Sequence, residues 1–168
     1  MSPAGRLVQT WPQSIDQLRP VLDYNIRNGR TYMYTGQEPL FAFGHGLSYT
    51  TFEYGSLRVD RQVIRDGEAA GISVDVRNTG PMDSDEVLQL YVSFPDSKVT
   101  RPVKSLKGFR HVHIPSGCRM TVRLELKAED MKYWDEDRHS WVLEKGRVQP
   151  MVGASSNDIR LTGKIDAR

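Results

Sequence analysis

The sequence predicts an all-β chain: a β-sandwich of about seven short strands, preceded by a largely irregular N-terminal arm. Three observations carry this. From Thr51 onward, apolar and polar residues alternate with a period of two, and turn formers interrupt the alternation roughly every 8–12 residues. Residues 1–38 hold many turn formers and no sustained period. Between them lies Pro39-Leu40-Phe41-Ala42-Phe43-Gly44-His45-Gly46-Leu47-Ser48-Tyr49-Thr50-Thr51-Phe52, where two glycines flank His45 and four aromatics stand close together. Glycines let the backbone turn where a side chain would clash, and aromatic rings supply anchoring area.

In the arm, Ser14-Ile15-Asp16-Gln17 resembles a capping box, and Pro20 limits any helix there to little more than a turn. Trp11-Pro12, Arg19-Pro20, Asn28-Gly29 and Thr35-Gly36 punctuate the rest as extended chain and turns. A free linker would be Gly/Ser-rich or charged. Trp11, Tyr24, Tyr32 and Tyr34 instead predict an arm that lies on its own domain or on another copy of the chain.

The strands follow in order. Phe52 to Val59 is the first. Ala70, Ile72, Val74 and Val76 alternate with polar or small residues until Asn78-Thr79-Gly80-Pro81 ends the run. Leu88, Leu90, Val92 and Phe94 alternate with Gln89, Tyr91 and Ser93. Residues 103–108 alternate poorly and read as an edge, and residues 109–114 read as the next strand. Met120, Val122, Leu124 and Leu126 face inward in the clearest strand, and residues 128–131 predict a short helical crossover. Residues 140–144, 147–152 and 159–161 complete the set, with Trp141 as a candidate core ring. Two such sheets bury one face each.

At 168 residues the chain has room for one domain with a real core plus an extension. Twenty-three Lys and Arg against 21 Asp and Glu leave a net charge of +2, with no basic block, which argues against nucleic acid. No apolar run reaches membrane length, and residues 1–6 lack the apolar core of a signal peptide, so the signal of an exported parent is expected outside this chain. Localisation stays open between cytoplasm, periplasm and exterior. Cys118 is the single cysteine, so no intrachain disulfide forms.

Residues 29–34, Gly-Arg-Thr-Tyr-Met-Tyr, and the stretch Glu38 to Phe52 closely resemble the domain junction of glycoside hydrolase family 3 enzymes of β-glucosidase type. Further matches follow in family order: Val76 to Gly80, Glu86 to Val92, Arg101 to Phe109, and Val152 to Leu161. The resemblance implies a fibronectin type III/immunoglobulin-like sandwich over residues 51–168. Residues 1–50 would be a linker arm and the end of a preceding α/β sandwich domain. The junction residues it singles out are Arg30, Tyr32, Pro39, Phe43, Gly44, His45, Gly46, Leu47, Tyr49 and Phe52. Its implied partners are the catalytic barrel and α/β sandwich domains of a parent enzyme acting on terminal β-linked sugars.

Two departures matter. Val148 and Pro150 stand where relatives carry an aromatic and an aliphatic residue, and proline predicts an edge or a break in that strand. Neither of the family's catalytic carboxylates has a counterpart here, so the chain alone is expected to be inactive, without cofactor, as an accessory module for interdomain packing and stability.

Trp134-Asp135-Glu136-Asp137-Arg138-His139 is dense in ligand atoms, yet lacks the oxygen spacing and glycine of a calcium loop and reads as a solvated turn. His111 and His113 share a strand face about 6.6 Å apart. They lack a spaced third partner for zinc and read as surface histidines. Cys118, after a Pro-Ser-Gly turn, reads as an incidental thiol. For His45 a contact near a substrate cleft competes with a turn residue whose ring bonds backbone, and the second is favoured. Tyr133 and Trp134 offer rings for sugar stacking, which makes polysaccharide binding the alternative function.

Overall fold

The computed structural model describes residues 2–168. Strands β1 (Phe52–Val59), β3 (Ala69–Asn78) and β6 (Arg119–Lys127) form an antiparallel sheet in the order β1-β3-β6. The opposing sheet runs β2-β11-β9-β4-β5. Its members are β2 (Val63–Ile64), β11 (Ile165–Ala167), β9 (Gly146–Gly153), β4 (Ser84–Ser93) and β5 (Ser105–Ile114), with β10 (Ile159–Thr162) also paired to β9. A separate hairpin joins β7 (Tyr133–Asp135) to β8 (Ser140–Val142), and a 3-10 turn spans Ala128–Met131.

The core is the meeting of the two alternations. Ala70, Ile72, Val74 and Val76 of β3, with Val122, Leu124 and Leu126 of β6, face Leu88, Leu90 and Val92 of β4 and Val148 and Val152 of β9. Each fully buried Val, Leu or Ile contributes about 1.5–3 kcal/mol. Met120 departs from this pattern: it lies near the end of β6, where the opposing sheet no longer covers it, and stays 37% exposed.

Three findings differ from the sequence reading in pairing. Strands β2, β7 and β11 have two or three residues each, too few to display a period. Residues 103–108 and 109–114 are not two segments: Ser105–Ile114 is one strand, and it is the outermost of its sheet. Its register shifts where Leu90 faces Gly108 and Tyr91 faces Leu106. The extra residue there, Lys107, flips the side-chain parity, which makes one strand look like two.

Pro150 is the third. Strand β9 is unbroken and lies inside the sheet, with Val92 of β4 opposite Pro150. The break is in the neighbour. On its other side β9 pairs with β11 at residues 146–148 and with β10 from residue 151 onward. The Pro150 carbonyl accepts from Gly163 N–H in the connection between those two strands. A strand residue aims its N and its carbonyl to the same side, so the missing donor points at a gap where no ladder bond was due.

Asn78 ties the two sheets at one end. Its side chain is buried; Oδ1 accepts from Thr50 Oγ1 at 2.6 Å and Gly80 N–H at 3.1 Å, and Nδ2 donates to the Met82 and Ile114 carbonyls at 2.7 and 2.9 Å. Asn78→Ala should therefore destabilise the chain by about 2–4 kcal/mol. Urea denaturation with an unchanged m-value is the measurement, and a loss below about 1 kcal/mol would show that water replaces the amide.

Candidate domain-docking site

The sequence alternation places Gln89 and Tyr91 on the outer face of β4, away from the core. Both are nonetheless buried, Gln89 at 3% and Tyr91 at 0% exposure, because the arm covers that face. The Gln89 amide donates to the Gly44 carbonyl at 3.0 Å and to the Ala154 carbonyl at 2.6 Å, and its Oε1 accepts from the Tyr91 hydroxyl at 2.6 Å. Tyr32 stacks on Phe43 with centroids 4.4 Å apart and meets Tyr91 edge-on at 5.8 Å. Burial pushes the Tyr91 hydroxyl above its ordinary range, so it stays a neutral donor.

Backbone bonds extend this contact. The arm folds into an irregular two-stranded ribbon: Leu7 N–H donates to the His45 carbonyl, Gly44 N–H to the Leu7 carbonyl, and Trp11 N–H to the Phe41 carbonyl, all within 2.9 Å. The ribbon then joins the sandwich through Ser156 N–H to the Phe43 carbonyl (2.9 Å), Val103 N–H to the Met33 carbonyl (2.8 Å) and Leu106 N–H to the Tyr32 hydroxyl (3.0 Å). Asn157 Nδ2 donates to Glu38, and the Lys104 ammonium donates to the Ser156 carbonyl.

Both glycines beside His45 are sites of close approach. A Cβ on Gly44, whose φ is +80°, would lie 2.0 Å from Gln89 Oε1. One on Gly46 would lie 2.3 Å from the Gly5 carbonyl oxygen and 2.5 Å from Arg6 Nη1. The first glycine presses the ribbon on the sheet; the second lets the ribbon's own two limbs meet.

A buried ion pair holds the start of the arm. Arg6 reaches Glu86 Oε2 at 3.0 Å, and the Tyr54 hydroxyl donates to Glu86 Oε1 at 2.8 Å; Glu86 is 3% exposed. Burial, with the Glu86 carboxylate beside it, holds the Tyr54 hydroxyl far above its ordinary range. The Arg160 guanidinium lies over the Tyr54 ring at 4.5 Å and donates to the Phe52 carbonyl. Removing Arg6 would leave the buried Glu86 carboxylate without its bonded counter-charge.

The arm's other side is different. Val8, Ile15, Val21, Leu22 and Tyr24 are each at least 79% exposed, and Leu18, Leu40, Trp11, Phe41 and Ile26 are between 42% and 58% exposed. An exposed apolar group of this extent marks an interaction surface. Within this one chain Tyr32 and Tyr34 are half-buried, while Trp11 and Tyr24 face outward, where another copy or a neighbouring domain would have to cover them.

Residues 86–156 match the fibronectin type III-like domain model. Thermostable β-glucosidase B of Acetivibrio thermocellus is 36% identical over 98% of this chain, which covers 23% of that relative. A crystal structure of a β-D-glucoside glucohydrolase from Trichoderma reesei superposes with a TM-score of 0.88 at 31% identity, over 99% of this chain and 27% of that one. A family 3 β-glucosidase from Bifidobacterium adolescentis gives 0.88 at 29% identity, over 99% and 26%. The chain belongs to the glycoside hydrolase family 3 β-glucosidase family and carries its fibronectin type III-like domain. It spans about a quarter of the length of the curated relatives it matches.

Within this fibronectin type III-like region the junction residues divide by side-chain contact. Tyr32, Phe43, Gly44 and Gly46 meet the sheet or the ribbon, and Phe52 packs on the core from β1. Arg30 holds the arm to itself by donating to the Pro20 carbonyl. Pro39 is half-buried, while Leu47 and Tyr49 point outward at 70% and 68% exposure. Among the described residues the His45 ring makes no backbone hydrogen bond; it packs against Phe41 at 5.3 Å, while its backbone makes the ribbon bonds. Gln89, Tyr91, Arg6 and Glu86 were not singled out from the sequence. Their signal in the sequence is that each falls inside a family-like stretch, Arg6 in Pro3 to Leu7 and the others in Glu86 to Val92.

Asp135 Oδ1 accepts from Asp137 and Arg138 N–H, making residues 135–139 the hairpin turn. His111 and His113 each bond one oxygen of Asp85, which lies between them and is held below the usual carboxylate range chiefly by the His113 bond. No group of three His, Cys, Asp or Glu is arranged to hold a metal among the described residues. The Arg101 guanidinium lies over the Tyr133 ring, 4.8 Å from its centre, and occupies that face of it. Trp141 is not a core ring. It is 64% exposed and pairs edge-to-face with Trp134, its cross-strand partner, at 5.8 Å.

Gly44→Ala should detach the arm, since it combines a left-handed backbone, costing about 1–2 kcal/mol, with displacement of Gln89. Limited proteolysis should then cut within residues 1–40 at a protease level that spares the parent sequence. Gly55→Ala, where a Cβ meets nothing within 4 Å, should leave the pattern unchanged. Equal protection of both variants would show that the arm docks without this contact.

Proposed function

We propose that this chain is a non-catalytic, C-terminal accessory region of a family 3 glycoside hydrolase, with residues 51–168 as the sandwich and residues 1–50 as the arm that docks it to the catalytic domains. The two-sided arm supports this reading best. One side is bonded to the sheet through Gln89, and the other presents a group of large apolar side chains. The role is packing and stability of the parent, whose activity would resemble hydrolysis of terminal β-linked sugars. Retaining hydrolysis needs two carboxyl groups about 5 Å apart across the sugar, and the family resemblance assigns neither to this chain.

The pure chain should release no more product from an aryl β-glucoside than a heat-killed control. The rest of the parent enzyme, made as a separate polypeptide, should bind it and raise its melting temperature. At a hundredfold excess over Kd the gain is about 2.7 kcal/mol. Hydrolysis by the chain alone, or no binding, would overturn the proposal. Concentration-dependent sedimentation of the chain by itself would show that the same face also pairs two copies.

A second reading, polysaccharide binding, draws on the Trp134–Trp141 pair, which projects from the β7–β8 hairpin with both rings at least 47% exposed. On this reading the chain is retained on insoluble cellulose or xylan, and Trp134→Ala or Trp141→Ala abolishes retention. Wild-type flow-through would leave the pair as a cross-strand contact that stabilises its hairpin.

A further inference from the structure

Asn28-Gly29 lies in a turn of the arm, with Asn28 exposed and Gly29 at a φ of +81°. Most polar groups of the turn are engaged. Asp23 Oδ1 accepts from Asn25 N–H and Asn25 Oδ1 from Arg27 N–H, both at 3.1 Å. Asn28 N–H and Arg30 N–H reach the Asn25 and Ile26 carbonyls, also at 3.1 Å. The Gly29 N–H is the exception, with no acceptor among the described residues. The Asn28 side chain makes one bond, from Nδ2 to Asp23 Oδ2 at 2.9 Å. Beside the glycine lies a guanidinium: a Cβ on Gly29 would fall 2.9 Å from Arg19 Nη2 and 3.3 Å from its Nε.

These are the parts of a reaction whose only other reagent is water. The backbone nitrogen after an asparagine attacks the side-chain Cγ. The N–Cγ bond forms, the Cγ–Nδ2 bond breaks, and Nδ2 leaves as ammonia with the proton that the backbone nitrogen gave up. Water then opens the cyclic imide at either carbonyl, leaving Asp or isoAsp. The attack needs a nitrogen free of hydrogen bonds and unshielded by a Cβ, and it gains from a cation beside the developing amide anion.

The other three asparagines lack these conditions. Asn25 precedes a β-branched residue, Ile26, and its Oδ1 is bonded. Asn78 is buried with both ends of its amide bonded. Asn157 precedes Asp158, whose N–H donates to Ser155 Oγ, and its own Nδ2 is held by Glu38. We infer that Asn28-Gly29 is a spontaneous modification site, where Asn28 converts to Asp or isoAsp and Arg19 promotes attack by the Gly29 nitrogen. Either product sets a second carboxylate where Asp23 now holds a donor. IsoAsp also lengthens the backbone of the turn by one methylene.

The test keeps the purified full chain in mildly alkaline buffer and follows its chymotryptic peptides by mass spectrometry. Enzymatic methylation of isoAsp is the second readout. Cleavage after Tyr24 and Tyr32 releases residues 25–32, so fragmentation compares Asn25 and Asn28 within one peptide. Asn28 should gain the mass of an acid and the isoAsp label first, while Asn25, Asn78 and Asn157 keep their amides. Asn28→Gln, which would have to close a larger ring, should remove both signals. Arg19→Gln should slow the conversion about fivefold at low salt, the worth of one charge at about 4 Å in water. Added salt should slow the unsubstituted chain towards that rate, which tests the same charge without a substitution. In the converted chain the Asp23 carboxyl should titrate higher, because the Asn28 bond is the chief cause that holds it below the usual carboxylate range. An Asn28 that keeps its amide as long as Asn157 does would overturn the inference. So would a rate indifferent to both Arg19→Gln and salt.

Discussion

The buried amide of Gln89 lies at the centre of the joint between the two parts of this molecule. It sits on an outward position of a central strand, where a glutamine would ordinarily be solvated. Here its two N–H bonds go to Gly44 in the arm and Ala154 beyond β9, and its oxygen takes the Tyr91 hydroxyl. A buried amide of this kind is stabilising only when every partner is present, because each unmade bond costs about 1–3 kcal/mol. The arm is therefore part of the fold, not an appendage: without it, Gln89 and Tyr91 would lie on an open sheet face.

Other features follow from that constraint. Gly44 has to be glycine because the ribbon approaches Gln89 at backbone distance, and Tyr32 and Phe43 stack to close the layer over Tyr91. The Arg6–Glu86 pair fixes the far end of the ribbon in a setting where the carboxylate also takes the Tyr54 hydroxyl. Such a pair adds little net stability against an apolar alternative, but it is strongly selective for one position of the arm. With the inner face held by specific polar bonds, the outer face is left as a rigid apolar surface that a neighbour can pack against.

The hairpin at Trp134 and Trp141 and the strand at Pro150 show how neighbours set the meaning of a residue. A tryptophan in an alternating segment suits a core, yet a two-stranded hairpin has no second sheet over it, so both rings stay outside and meet each other. A proline in a strand suits an edge, yet it is accommodated inside this sheet because the adjacent chain turns from β10 to β11 just there.

By itself, the sequence determined the sandwich, its principal strands and the family-like junction. Period-two alternation and turn residues are local properties, and residues such as Ile72, Leu90 and Leu124 can satisfy them only by facing a second sheet. Only the tertiary structure decided which outward residues are buried. That Gln89 and Tyr91 lie under the arm, that Glu86 meets Arg6 eighty residues away, and that Trp141 stays in solvent depend on what arrives from elsewhere in the chain. A strand's alternation records that a residue points away from the core, and it carries no information about what will cover it.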